Sequence, residues 1–90
     1  MKIKVKIKKI GSIEHGTRRD GSGTWSARSI ILEEEGSLYP DTFVVRVSGE
    51  KAETLQWKVG DNALATLDFS VRENNEKMYQ DVFLKNLEAA

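Results

Sequence analysis

The sequence predicts an all-β domain, a five-stranded barrel with one short helix between the third and fourth strands. Apolar and polar residues alternate through most of the chain, as in half-buried strands. Turn-forming residues separate the alternating segments. Helical spacing replaces the alternation once, after the third segment. Because 90 residues suffice for one core, residues 1–90 are predicted to form a single domain.

The first strand opens the chain, where Ile3, Val5 and Ile7 alternate with lysines. A register slip of one residue would exchange the two sets, so we expect the apolar residues in the core and the lysines in water. Lysines on an outer strand face discourage edge-to-edge association. We favour this role over a track for phosphate groups. The lysines are Lys2, Lys4, Lys6 and Lys8.

A polar segment with three glycines, His15–Gly23, predicts a long hairpin loop. It lacks the Gly-Lys-Ser/Thr end of a P-loop and joins strand to strand, which argues against a nucleotide cradle. Two interpretations of the loop stay open. It is either a solvated connection or a mobile clamp that uses Arg18 and Arg19 to hold a nucleic acid.

The next segments predict two strands and the helix. Thr24–Glu34 is rich in Trp, Ile and Leu and predicts the second strand, and Gly36–Asp41 contains the only proline and predicts a turn. Thr42–Ser48 alternates and predicts the third strand. Gly49 breaks it, and Glu50–Trp57 then carries good helix formers at helical spacing, enough for one or two turns.

The last two strands form a hairpin. The fourth strand follows Val59-Gly60-Asp61, Glu73–Lys77 predicts a tight turn, and Met78–Leu87 is the fifth strand. The resulting order, β-β-β-α-β-β, is the arrangement of the OB fold. An SH3-like small barrel is the alternative, but it lacks a helix of this kind at this place. Closure also removes the exposed edges of an open sheet.

Composition excludes several classes of function. There is no cysteine, so disulfides, thiolate metal sites and a Cys nucleophile are excluded. His15 is the only histidine and has no neighbours at metal-ligand spacing, so we expect no metal and no cofactor. No nucleophile elbow or paired carboxylates indicate catalysis, so we expect no enzyme. No apolar run reaches the roughly 20 residues of a membrane helix, and we expect a cytoplasmic protein.

The candidate binding residues are basic or aromatic and belong to the second and third strands or the two hairpins. We expect rings to stack on bases while Arg and Lys meet phosphates, an arrangement that suits single strands. Trp25 and Arg28 have opposite parity, so they share a face only if a bulge lies between them. The candidates are Arg18, Arg19, Trp25, Arg28, Arg46, Arg72, Lys77 and Tyr79.

Part of the chain resembles bacterial single-stranded DNA-binding proteins of the OB class. In Val47–Glu53 a strand ends at a glycine before a Lys-Ala-Glu helix, Lys58–Asp61 is a Lys-Val-Gly-Asp turn, and Tyr79–Val82 lies in the last strand. The whole chain is similar to a small bacterial family with a domain of unknown function and the same fold. The shared features are the Met-x-Ile-x-x-x-Ile start, the Val-Gly-Asp turn and the Arg72-Glu73…Tyr79-x-Asp81 hairpin. The resemblance implies an OB fold and single-strand binding.

Two functions from different classes follow. The first is a single-stranded nucleic-acid-binding module without sequence preference, with DNA as the ligand and RNA as the alternative polymer. We expect it to be a homo-oligomer, because one barrel offers a short track that pairing would lengthen. The second is an OB-fold protein-interaction module that binds no nucleic acid. The net charge of zero favours this alternative, as does Ser48, which stands where the binding proteins usually have an aromatic residue.

Overall fold

The computed structural model describes residues 1–89, which form six strands and one helix. All strand pairs are antiparallel except one. The elements are β1 (Lys2–Ile10), β2 (Glu14–Thr17), β3 (Thr24–Glu34), β4 (Thr42–Ser48), α1 (Glu50–Glu53), β5 (Asn62–Asn74) and β6 (Lys77–Ala89).

Five of the strands close into a ring. The order around it is β1-β5-β6-β4-β3, and a β1–β3 pairing closes the circle. The single parallel contact joins β4 to β6 through Arg46 and Phe83. This confirms the predicted five-stranded barrel of OB type, with the helix between the third and fourth ring strands, β4 and β5.

The strand β2 was not expected, because three of its four residues fall inside the segment predicted as a loop. It pairs only with the first residues of β3, from Glu14 opposite Ala27 to Thr17 opposite Thr24, and lies outside the ring. The connecting loop is therefore 18–23 rather than His15–Gly23. This short strand has no apolar alternation, so only its ladder with β3 reveals it.

The helix α1 is one turn long and ends earlier than the spacing predicts. Gly49 precedes it at φ 72°, a backbone conformation that suits glycine. At its end, the backbone N–H and the hydroxyl of Thr54 both donate to the Glu50 carbonyl, each at 2.9 Å. Ala52 of the helix is fully buried in the core, and beyond this turn Leu55 and Trp57 pack against the same core.

The core confirms the predicted pattern of the first strand. Val5 and Ile7 are fully buried, Ile3 is half-buried, and the four alternating lysines are exposed. β1 is not an edge strand, however, since Val5 and Lys6 each have a partner on both β3 and β5. The lysines therefore keep the outer surface of an interior strand in water rather than protecting a free edge.

The β5–β6 hairpin extends beyond the barrel as a two-stranded ribbon, residues 68–83, which we call the arm. In β5, burial alternates as far as Leu67, and every residue from 68 to 74 is exposed. The ladder continues to the pair Asn74 and Lys77. Asn75 and Glu76 both have positive φ, 50° and 65°, as a two-residue type I′ turn requires.

Candidate functional site

The outer surface of the sheet presents an indole and a guanidinium in contact. Trp25 and Ser29 share a parity in β3, and Ser29 pairs with Arg46 of β4, so all three side chains point away from the core. The guanidinium carbon of Arg46 lies 5.9 Å from the centre of the Trp25 ring, within cation–π range. The indole remains 38% exposed, so one part of it is open to a ligand.

Gly16 supports the position of the Trp25 ring. The two residues are direct partners in the β2–β3 ladder. A Cβ atom at position 16 would lie 2.3 Å from two ring carbons and 2.5 Å from the indole nitrogen of Trp25. The Trp25 ring therefore packs on the backbone of β2 at Gly16, where there is no side chain. Any side chain at position 16 would displace the ring. Sequence reasoning did not single out Gly16 for this role.

The loop beside Trp25 is closed by a backbone hydrogen bond and carries both signs of charge. The Arg18 N–H donates to the Gly23 carbonyl at 2.8 Å, which closes the hairpin. Arg18, Arg19 and Asp20 line a shallow depression together with Trp25. The Ser22 hydroxyl and backbone N–H both donate to the Asp20 carboxylate and lower its pKa. Asp20 is therefore charged at neutral pH and offsets part of the charge of the two arginines.

The arm carries a second pair of an arginine and an aromatic residue. Arg72 and Tyr79 are direct ladder partners, and the guanidinium carbon lies 5.6 Å from the ring centre. The same guanidinium binds the Asp81 carboxylate through Nε at 2.7 Å and a terminal nitrogen at 3.3 Å. Arg72 thus contacts the ring and the carboxylate at the same time, and the Asp81 carboxylate offsets its charge.

The structure brings seven of the eight candidates to one continuous side of the protein. Trp25 and Arg46 lie on the barrel, with Arg18 and Arg19 in the loop beside Trp25. On the arm, Arg72 and Tyr79 lie on the outer side of the ribbon.

Lys77 shares the parity of Tyr79 in β6 and extends this side to the tip of the arm. Phe83 joins the two parts: it pairs with Arg46 across the parallel contact and is half-buried. Phe83 lies four residues after Tyr79 in the same strand, so the two side chains point to the same side. This spacing could have identified Phe83 from the sequence.

Arg28 does not lie on this side. The β3 ladder has no bulge from Thr24 to Glu33, so the opposite parity of Trp25 and Arg28 is kept. Arg28 pairs with the buried Val47 and points to the core side of the sheet. Its Nε atom is buried and finds no hydrogen-bond partner within residues 1–89. An inward guanidinium of this kind does not reach a ligand on the outer surface.

Other polar side chains form scattered pairs. His15 Nδ1 lies 3.9 Å from a carboxylate oxygen of Glu53, and Lys85 lies 3.5 Å from Asp68. In residues 1–89, His, Asp and Glu side chains form no group of three that could hold a metal ion. No helix in the described part of the chain is long and apolar enough to cross a membrane.

In structure, the chain is similar to the SSB domain of a protein from Synechococcus sp.. The TM-score is 0.63 at 12% sequence identity, and the match covers 98% of this chain and 91% of that one. At this identity the likeness shows a shared fold. None of the curated proteins compared with the chain matches it in sequence.

The predicted membership in a family with a domain of unknown function is confirmed by comparison with protein families. The profile that matches covers residues 2–89, which is nearly the whole chain. It includes the N-terminal alternation, the Val59-Gly60-Asp61 turn and both strands of the arm. The chain therefore belongs to the family described as domain of unknown function DUF3127.

Proposed function

We propose that this protein is a single-stranded nucleic-acid-binding module, not an enzyme, and that its ligand is cytoplasmic single-stranded DNA, bound without sequence preference. The observation that carries the proposal is the outer side of the sheet, where an exposed arginine–aromatic pair lies at each end. The similarity to an SSB domain supports the same function. OB folds bind oligonucleotides on this strand face and between the adjoining loops.

In each pair, the aromatic ring is proposed to stack on a base and the arginine to bind a phosphate. Every base has a flat apolar face, whatever the sequence of the strand. Trp25 and Tyr79 therefore each provide a stacking surface that does not discriminate between bases. Arg46 lies beside the first ring and is exposed, so it is available to a phosphate. Phe83 lies next to Arg46 and gives the path between the two ends an apolar floor.

Positive and negative side chains on this side of the protein nearly balance, and this limits the electrostatic part of the expected affinity for nucleic acid. Asp20 offsets Arg18 and Arg19, Asp81 holds Arg72, and Asp68 lies near Lys85. Few phosphates are then neutralised per protein. We expect stacking to contribute most of the affinity and the dependence on salt to be shallow.

The Arg46→Ala variant tests the proposal. Its affinity for fluorescently labelled oligo-dT, measured by anisotropy at two salt concentrations, should fall. The slope of log K against log [salt] should become shallower by about 0.7, the share of one phosphate contact on a single strand. The matched control is Lys4→Ser, which removes the same charge from the outer surface of β1 and should leave the slope unchanged.

If the wild-type protein binds neither oligo-dT nor oligo-rU even at low salt, the nucleic-acid function is excluded. The protein-interaction module is then the function to test. A parallel titration with oligo-rU separates DNA from RNA, and stronger binding of oligo-rU would replace DNA with RNA as the ligand.

The Asp81→Asn variant tests whether the arm restrains its own arginine. Loss of the carboxylate frees the Arg72 guanidinium, now bound at 2.7 Å, and removes a negative charge from the path of the phosphates. We expect tighter binding of oligo-dT, with the salt slope steeper by about 0.7.

The Glu35→Gln variant is the control for Asp81→Asn. It makes the same change in net charge at an exposed loop residue whose backbone N–H donates to the Lys4 carbonyl of β1. Its affinity should rise much less. Equal gains from both variants would contradict a specific restraint on Arg72.

A further inference from the structure

The strand β6 has a free edge after Phe83. On the side away from β5, its neighbour β4 meets it only at the pair of Arg46 and Phe83. Residues 84–89 form a ladder with β5 alone, and within residues 1–89 no other backbone segment bonds to this edge. A strand edge with unpaired N–H and C=O groups is a place where another chain can add a strand.

A β-bulge shapes this edge. The ladder with β5 passes from Leu84 to Asn86, so Lys85 is the extra residue and has no partner on β5. Leu84 and Leu87 are three positions apart, yet both pair with buried residues of β5, so the bulge keeps both on the core side. The Lys51 ammonium donates a hydrogen bond to the Lys85 carbonyl, so a side chain binds the edge here.

A groove lies between this edge and the segment that follows α1, and we call it the β6 groove. Its volume of about 350 Å³ is within the range of ligand pockets. Five apolar side chains line it. Val47 and Leu84 are buried, whereas Leu55, Trp57 and Leu87 are half-buried and keep part of their surface open. The groove therefore offers an apolar floor beside an unpaired strand edge.

The charged residues that line the β6 groove are both lysines, Lys51 and Lys85. Lys85 lies 3.5 Å from Asp68, which offsets its charge. Lys51 takes part in no ion pair among residues 1–89. Its ammonium is held by a neutral carbonyl and keeps its full charge, so the groove is complementary to a carboxylate.

We propose that the β6 groove binds a short extended segment of a partner protein, in which acidic residues lie next to apolar ones, as an added strand on β6. The main chain of the segment pairs with the free edge, and alternate side chains enter the groove. A peptide N–H takes the place of the Lys51 ammonium at the Lys85 carbonyl, and the ammonium then binds a carboxylate of the segment. A nucleic acid has no main-chain N–H groups with which to continue a β-ladder.

An array of hexapeptides tests the proposal, since six residues match the free edge. Each peptide alternates Asp or Glu with Val, Leu or Phe, and the strongest binder is then labelled with fluorescein and titrated by anisotropy at low salt. We expect the bound peptide to slow amide hydrogen exchange in residues 84–88. Proline at the centre of the peptide removes a backbone N–H and should abolish binding.

The Lys51→Glu variant should weaken binding of the titrated peptide by about 10-fold. The matched control is Lys58→Glu, which makes the same change in charge at a residue outside the groove and should change the affinity by less than about 2-fold. Both lysines are exposed, so both variants should fold, which circular dichroism verifies.

The proposal is overturned if no hexapeptide binds, or if Lys51→Glu and Lys58→Glu lose equal affinity. Displacement of the bound peptide by oligo-dT would also overturn it and would assign the groove to nucleic acid. The proposal does not rest on the proposed function. A protein that binds oligo-dT and no hexapeptide would overturn the peptide site alone, and one that binds a hexapeptide but neither oligo-dT nor oligo-rU would overturn the proposed function alone.

Discussion

Val5→Asp is expected to abolish the folded state. Val5 is fully buried and has ladder partners on both sides, Glu34 of β3 and Ala63 of β5, so no movement of one strand brings the new carboxylate to water. A buried charge without a partner costs several kcal/mol beyond the roughly 1.5–3 kcal/mol of lost apolar burial. A domain of this size has a total stability of about 5–13 kcal/mol.

The measurement is thermal unfolding followed by circular dichroism. Val5→Asp should show no cooperative transition, while Lys4→Ser, on the adjacent exposed residue, should melt within about 0.5 kcal/mol of the wild type. Equal losses of stability from the two variants would contradict the inward and outward assignment of β1.

Trp25→Ala is expected to cause the largest loss of oligo-dT affinity among folded variants. A ring that stacks on a base contributes roughly 1–3 kcal/mol, which corresponds to a loss of about 5-fold to 150-fold in affinity. The salt slope should stay the same, because stacking releases few ions. This separates Trp25→Ala from Arg46→Ala, which should change the slope.

Gly16→Ala tests the same ring without removing it. The added Cβ would lie 2.3 Å from ring carbons of Trp25, so the indole must move off the strand. We expect a red shift of the Trp25 emission and a loss of affinity that approaches that of Trp25→Ala.

The control is Thr17→Ala, at the next residue of the same strand, which should alter neither property. If Gly16→Ala binds oligo-dT as tightly as the wild type, the position of the indole has no part in binding.

The outward side chains of the site illustrate what residue parity can predict. Arg72, Lys77 and Tyr79 were identified from the last hairpin, and the ladder places them on one side as alternation requires. The opposite parity of Trp25 and Arg28 also predicted that they face opposite ways. The ladders of β3 have no bulge between them, so the two side chains lie on opposite faces of the sheet. Phe83 was missed because a half-buried aromatic residue between Val82 and Leu84 has the pattern of core rather than of site.

The sequence by itself determined the barrel strands, the position of the helix and the inward set of β1. These three features follow from the local spacing of apolar residues, which must be buried. A register slip of one residue would expose the apolar set of a strand to water. Only the tertiary structure decided which residues meet across strands. The contacts of Arg46 with Trp25, of Arg72 with Asp81 and of the Trp25 ring with Gly16 join residues at least nine positions apart.

The tertiary structure also decided where burial stops. Phe69 and Val71 continue the alternation of Leu67 without a change in sequence pattern, yet Leu67 is buried and both of them are exposed. The reason is geometric. A strand is buried only as far as the other strands of the ring surround it, and β5 is longer than the barrel, so its apolar row continues onto an arm with no layer behind it.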